Sequence, residues 1–266
     1  MPRTLKYSLW LGFGFLYAPI LVLIAYSFNA SRRGSVWGGF SAHWYGELLR
    51  DEQILTAAWI SIKIAVYSAS GATVLGLLAA VAMVRFGKFR SRTLFAGLMS
   101  APLVMPEVIV GISLLLLFIS AEQLIGWPAG RGMMTITIAH ITFCTAFVLV
   151  VLQPRIASMD RSLEEASRDL GAGPVTTFVL VTLPLIAPAI FSGWLLAFIL
   201  SFDDLVIASF TAGPGSTTLP MLIFSKVKIA VSPDINALAT LIILAAALGL
   251  VAAMILIRNR DNQEQG

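Results

Sequence analysis

The sequence is poor in the residues that most chemistry and most soluble surfaces require. A single cysteine, Cys144, excludes an internal disulfide framework and any multi-cysteine metal site. Histidine occurs twice, as His43 and His140, which leaves no metal ligand set. His140 and Cys144 stand four residues apart on one helical face, yet two ligands do not make a structural zinc site, and polar packing inside a bundle is expected of them. No G-x-x-x-x-G-K-[ST] stretch is present, and Gly87-Lys88 lacks both the upstream glycine and the following hydroxyl, so P-loop nucleotide hydrolysis is excluded. Charged residues make up only 12% against 58% hydrophobic residues, with a mean hydropathy of +0.88, and a soluble core of this size cannot hide that much apolar surface. The net charge of +4 needs no nucleic-acid partner, because the basic residues flank apolar runs instead of clustering with exposed aromatics.

What remains is apolar sequence of helical length. A hydrocarbon core of roughly 30 Å takes about 20 apolar residues to cross as helix. Residues 7–31, 64–84, 132–154, 170–202 and 235–257 carry no Asp, Glu, Lys or Arg, and 93–121 carries only Glu107. These windows predict an all-α membrane protein with six transmembrane helices near 8–28, 58–84, 94–119, 133–153, 177–201 and 236–257. Residues 205–225 are also free of charge, but Gly213-Pro214-Gly215 and Pro220 predict a short half-helix and loop there. With no soluble domain or low-complexity tract, 1–266 reads as a single transmembrane domain.

Basic residues favour the cytoplasmic ends of short loops. Eleven of them, Arg3, Lys6, Arg85, Lys88, Arg90, Arg92, Arg155, Arg161, Arg168, Arg258 and Arg260, fall on one side, and seven, Arg32, Arg33, Arg50, Lys63, Arg131, Lys226 and Lys228, on the other. This bias predicts both termini, and the connection at about 155–177, in the cytoplasm. The first span lacks a small-x-small cleavage site and is expected to be an uncleaved anchor. The longest polar connection, about 29–57, holds Trp37, Trp44 and Tyr45, which are expected at headgroup level or, on a second reading, against a partner. Asn29-Ala30-Ser31 is read as a chance sequon.

The connection at 155–177 is the one long polar interruption on the basic side. Ser162 followed three residues later by Glu165 has the spacing of a capping box, and Glu164, Glu165 and Asp169 suit a short helix with an acidic start. Gly171 is expected to end that helix, and Gly173-Pro174 to turn the chain into the next span. The residues alone leave two readings open: an interfacial helix that stabilises a loop, or a handle for another protein.

Glu165-Ala166-Ser167, three residues, Gly171, nine residues, then Val181-Thr182-Leu183-Pro184 resembles the E-A-A-x3-G-x9-I-x-L-P loop of permease subunits in binding-protein-dependent ABC importers. Ser167 stands in place of the second alanine and Val181 in place of isoleucine. Further stretches, among them Tyr17-Ala18-Pro19, Ala101-Pro102-Leu103-Val104-Met105-Pro106-Glu107-Val108, His140-Ile141-Thr142-Phe143-Cys144, Ser201-Phe202-Asp203-Asp204 and Val231-Ser232-Pro233-Asp234, are similar to the polyamine importers, to their second permease subunit and to the putrescine system in particular. The resemblance implies the type I ABC importer permease fold and a bacterial inner-membrane location. It also implies a heterodimer with a second permease subunit, two separate ATPase subunits and a periplasmic polyamine-binding protein. Glu164, Glu165, Ala166, Ser167, Asp169 and Gly171 would then form the helix that couples to the ATPase. No cofactor is expected on this chain; ATP and magnesium would be used by the partner ATPase.

Carboxylates at membrane depth are the candidate substrate pathway, because a charge in hydrocarbon is costly unless it faces a cavity or a partner. Glu107 lies beside Pro102 and Pro106, and Asp203 and Asp204 close the fifth predicted span. Such groups suit a polycation, which forms charge-assisted hydrogen bonds. The bland readings are a structural pairing for Glu107, and surface exposure or an ion pair with Lys226 or Lys228 for the aspartates. Two other classes stay open: a self-sufficient channel or secondary transporter for organic cations, and an intramembrane enzyme with His140 and Cys144 as its only candidate pair.

Overall fold

A computed structural model describes the backbone of residues 3–31, 36–87, 89–229 and 233–264, with side chains for 5–31, 36–87, 89–228 and 233–248. Arg32, Arg33, Lys88 and Val231-Ser232 lie outside the described residues, as do the side chains of Arg3, Arg258 and Arg260. The described elements are helices: α1 (Arg3–Tyr26), α2 (His43–Leu48), α3 (Glu52–Arg85), α4 (Arg92–Val104), α5 (Glu107–Ile125), α6 (Met133–Ala157), α7 (Ser162–Asp169), α8 (Pro174–Thr177), a π-helical turn (Phe178–Thr182), α9 (Leu183–Phe202), α10 (Val206–Thr211), α11 (Leu219–Ile229) and α12 (Pro233–Glu264). Among the described residues, five helical stretches are long and apolar enough to cross a membrane: Leu5–Ser27, Glu52–Arg85, Glu107–Ile125, Met133–Ala157 and Pro174–Phe202. The sixth predicted span, 236–257, falls in α12, whose apolar described part is the shorter Pro233–Leu248.

The expected span at 94–119 is corrected to two helices, α4 and α5. Pro106 is the cause. It has no N–H for a helical bond, and it holds the preceding Met105 in extended backbone at φ −76°, ψ 137°. Glu107 therefore opens α5 as an exposed first-turn residue, not a charge in mid-span. Proline also shapes the entry to α9. Pro184 removes a donor and crowds the carbonyl four residues back, and the turn ahead of it widens to π geometry at Phe178–Thr182.

The chain resolves into two compact units, Met1–Thr56 with Leu222–Gly266, and Ala57–Met221. In the first, α1 and α2 pack against α12. Trp44 is buried and its Nε1–H donates to the Asn29 carbonyl at 2.8 Å, while Tyr45 Oη shares a 2.6 Å hydrogen bond with Ser27 Oγ. An indole N–H in an apolar setting needs an acceptor, and the buried Asn29 backbone provides it. The Asn29 amide is itself engaged with Val36 O, Gly38 N and Ser31 N, which leaves the sequon inaccessible. Lys226 pairs with Asp51 at 3.2 Å and with Asp234 at 3.6 Å.

The second unit is built on α6, an apolar helix buried round its circumference from Thr135 to Ile156. The small residues of α3 allow close approach: a Cβ on Gly71 would stand 2.7 Å from Ile141, and one on Gly76 2.6 Å from Val148. By contrast, the alanine run at 245–247 is exposed. α9 lies along the same core helix, with Gly193 over Val148, and α10 packs on α5 through Phe210 against Gly111.

Candidate functional site

Two polar constellations lie in the second unit, one at the α7 end and one where α9 stops. α7 begins one residue earlier than a capping box would place it, so that expectation is corrected. Ser162 is already helical, Arg161 holds the N-cap place without a side-chain cap bond, and Asp160 just ahead accepts the Ser162 N–H on its Oδ1 at 2.9 Å. Donation from the Ser162 backbone, and then from its hydroxyl, holds the Asp160 carboxyl below the usual carboxylate range. A carboxyl depressed in this way helps the helix start at any pH above the ordinary carboxylate range, and that help is lost as pH falls through the depressed value. The far end closes as the sequence predicts. Gly171 adopts φ +90°, its N–H bonds Arg168 O at 2.8 Å, and Ala172 N–H bonds Ser167 O at 3.1 Å, the pair of bonds that ends a helix on a left-handed glycine.

The six residues proposed for coupling divide by face. Glu165, Ala166, Asp169 and Gly171 are exposed. Glu164 and Ser167, one turn apart, point into the unit. Glu164 Oε1 accepts from Arg85 Nη2 at 3.1 Å and from Thr182 Oγ1 at 2.9 Å, and Ser167 Oγ lies 3.2 Å from Thr177 Oγ1. The side chains of Arg85 and Glu164 are only 15% and 13% exposed. Arg85, Glu164, Glu165 and Thr182 line a cavity of ≈ 420 Å³ that also takes in Arg161 and Arg168. Sequence reasoning missed Arg85 and Thr182. The available signal was that a carboxylate on the inward face of a helix needs a donor, and the last residue of the second span is an arginine.

The carboxylates proposed for the pathway do not come together as a trio. Asp203 is exposed at the end of α9 and Glu107 is exposed at the start of α5, whereas Asp204 is buried. Asp204 Oδ2 accepts from Ala208 N–H at 2.7 Å and lies 3.1 Å from His140 Nε2, and Oδ1 takes Ile207 N–H at 3.3 Å. His140, 1% exposed, completes the set with Nδ1 at 2.7 Å from Ser201 Oγ. One tautomer satisfies every partner: Nε2–H donates to Asp204, and the Ser201 hydroxyl donates to Nδ1. Asp204 thus starts α10 and ties the α9–α10 break to α6. Cys144 takes no part; its Sγ rests 3.6 Å from Ala197 O.

A bundle of apolar helices with one polar helix hung from the ends of two spans has the build of a polytopic membrane permease. The family model described as the binding-protein-dependent transport system inner membrane component matches residues 72–262, and the chain belongs to that family. It is 59% identical over 243 residues to the putrescine transport system permease protein PotI of Escherichia coli, covering 91% of this chain and 86% of that one. It is 39% identical over 254 residues to the spermidine/putrescine transport system permease protein PotC of the same organism, covering 96% and 94%. Among solved structures, the fold resembles a bacterial ABC transporter involved in import of the acidic polysaccharide alginate, with a TM-score of 0.73 at 16% identity over 95% of each chain. It also resembles the inward-facing MetNI methionine ABC transporter, with a TM-score of 0.61 at 16% identity over 81% of this chain and 97% of that one. Membership of a multi-component transport family favours a permease subunit over a self-sufficient channel or secondary transporter.

Proposed function

We propose that this chain is one of two permease subunits of an ATP-driven bacterial importer and forms half of its pathway for polyamines, putrescine foremost. It lies in the inner membrane with both termini and α7 cytoplasmic. Its partners are a second permease subunit, two ATPase subunits that use ATP and magnesium, and a periplasmic polyamine-binding protein. The observation that carries the reading is 59% identity to a putrescine permease across 91% of the chain. The division of α7 supports the coupling role: Glu165, Ala166 and Asp169 form an exposed face for an ATPase groove, and Gly171 fixes where that face ends. Exposed Asp203 and Glu107 suit the ammonium groups of a passing polyamine, and buried Asp204 holds the break that presents Asp203. The test is uptake of labelled diamines and spermidine by the complex reconstituted in liposomes, with and without its receptor. Receptor-dependent, ATP-dependent accumulation of putrescine is expected; accumulation of an unrelated solute, or equal uptake without ATP, overturns the reading.

A further inference from the structure

If α7 is the element that an ATPase moves, as proposed above, its motion must reach the spans by some physical link, and the inference that follows rests on that reading. The peptide link is a poor candidate. Between α7 and α8 the chain passes through Gly171, at φ +90°, and the extended Gly173, neither of which has a side chain in contact with anything. Neither glycine offers a side chain through which a push could pass to a neighbouring element.

The side-chain link is of a different kind. Both bonds of Glu164 fall on the single oxygen Oε1, from Arg85 Nη2 at 3.1 Å and from Thr182 Oγ1 at 2.9 Å. Arg85 is the last residue of α3, and Thr182 is the last residue of the π turn that leads into α9. One carboxylate oxygen therefore joins three elements, and its charge-assisted bond is shielded from solvent. Ser167, a turn further on, adds a bond to Thr177 that the alanine usual at this place in the motif lacks.

We propose that Glu164 is a positioning residue, the joint through which displacement of α7 reaches α3 and α9 together, while its neighbour Glu165 faces the ATPase. The two adjacent glutamates then have separable phenotypes. In the assembled importer, supplied with labelled putrescine and ATP, Glu164→Ala is expected to retain the ATPase subunits and keep hydrolysing ATP, while putrescine imported per ATP falls about tenfold. Thr182→Val removes one of the two bonds with little change of shape and is expected to lower the same ratio about threefold. Exchanging the charges, with Glu164→Arg and Arg85→Glu together, is expected to recover part of the loss.

An unchanged ratio in the Thr182→Val and Glu164→Ala complexes overturns the joint. So does loss of the ATPase from the Glu164→Ala complex when Thr182→Val keeps a normal ratio, since Glu164 would then be a docking contact. Should Glu164→Ala yield no complex, the Thr182→Val ratio decides by itself. Glu165→Lys separates this inference from the reading beneath it. If that reversal leaves energised import intact, the coupling role of α7 fails as a whole; if it abolishes import while Glu164→Ala and Thr182→Val are silent, only the joint fails.

Discussion

Adjacent residues of one type do different work here, and the pairs 164/165 and 203/204 are the clearest instances. Asp204 accepts two backbone N–H groups of α10 and lies against a histidine that is itself buried, so its oxygens are fully committed within the protein. Replacing it by asparagine places an amide N–H₂ where a donor already points and removes the charge opposite His140. Leaving a buried donor or acceptor without its partner costs about 1–3 kcal/mol. Asp204→Asn and His140→Ala are therefore expected to lower the thermal midpoint of the purified importer in detergent, and uptake should fall with the folded fraction. Asp203→Asn, on an exposed side chain, should leave the midpoint unchanged and weaken uptake alone. Equal midpoints for the 203 and 204 variants, followed in the same melting assay, would remove the structural role argued for Asp204. Nothing in the sequence separates these two aspartates. Burial is decided by which of them meets His140, 64 positions away, and no local pattern records that distance.

At the scale of elements, what was legible is what the backbone itself encodes. The freedom of Gly171 to take positive φ and the fixed φ of Pro174 do not depend on tertiary context, and both end up where the sequence placed them, at the stop of α7 and the first residue of α8. Charge-free windows located the apolar helices for a similar reason, since the lipid phase is the same whatever the neighbours. The misreadings share a cause. A window that counts charges is blind to a break in hydrogen bonding, so the Pro106 division between α4 and α5 passed unseen, and so did the π turn before Pro184. The capping-box spacing at Ser162 misplaces the start of α7 by one residue, because the Ser162 N–H is already taken by Asp160 and Ser162 is itself helical. Two glycines test the backbone account cleanly, since neither Gly171 nor Gly173 has a neighbour within reach of an added Cβ, and only Gly171 has positive φ. Gly171→Ala forces an L-residue into the left-handed region at about 1–2 kcal/mol. It should raise hydrogen exchange of the Ala172 amide severalfold, whereas Gly173→Ala should leave that amide as it is. Matching exchange in both variants would show that packing, not φ, ends this helix.

At the scale of the whole chain, the exposed side chains say what surrounds it. α1 presents Trp10, Leu11, Phe15 and Leu16 outward, α5 presents Leu116 and Leu117, and α9 presents Phe191 and Ile199. An apolar exposure this extensive is stable only against lipid or another apolar subunit. Among these oily surfaces α7 is the exception, a short polar helix with Glu165 and Asp169 turned outward. The two surfaces belong to different partners in the proposed assembly, so a charge change on α7 should separate them. When the importer is expressed whole and captured through a tag on this chain, Glu165→Lys is expected to retain the second permease subunit, which in the proposed assembly meets the apolar surfaces and not α7. The ATPase subunits are expected to be lost or much reduced, because the reversal sets a cation where the exposed carboxylate was, and juxtaposed like charges at an interface cost several kcal/mol. Accumulation of labelled putrescine should fall to background in the same preparation. Capture of both partners in wild-type proportion by the Glu165→Lys chain would show that the exposed face of α7 is not where the energy of ATP enters this protein.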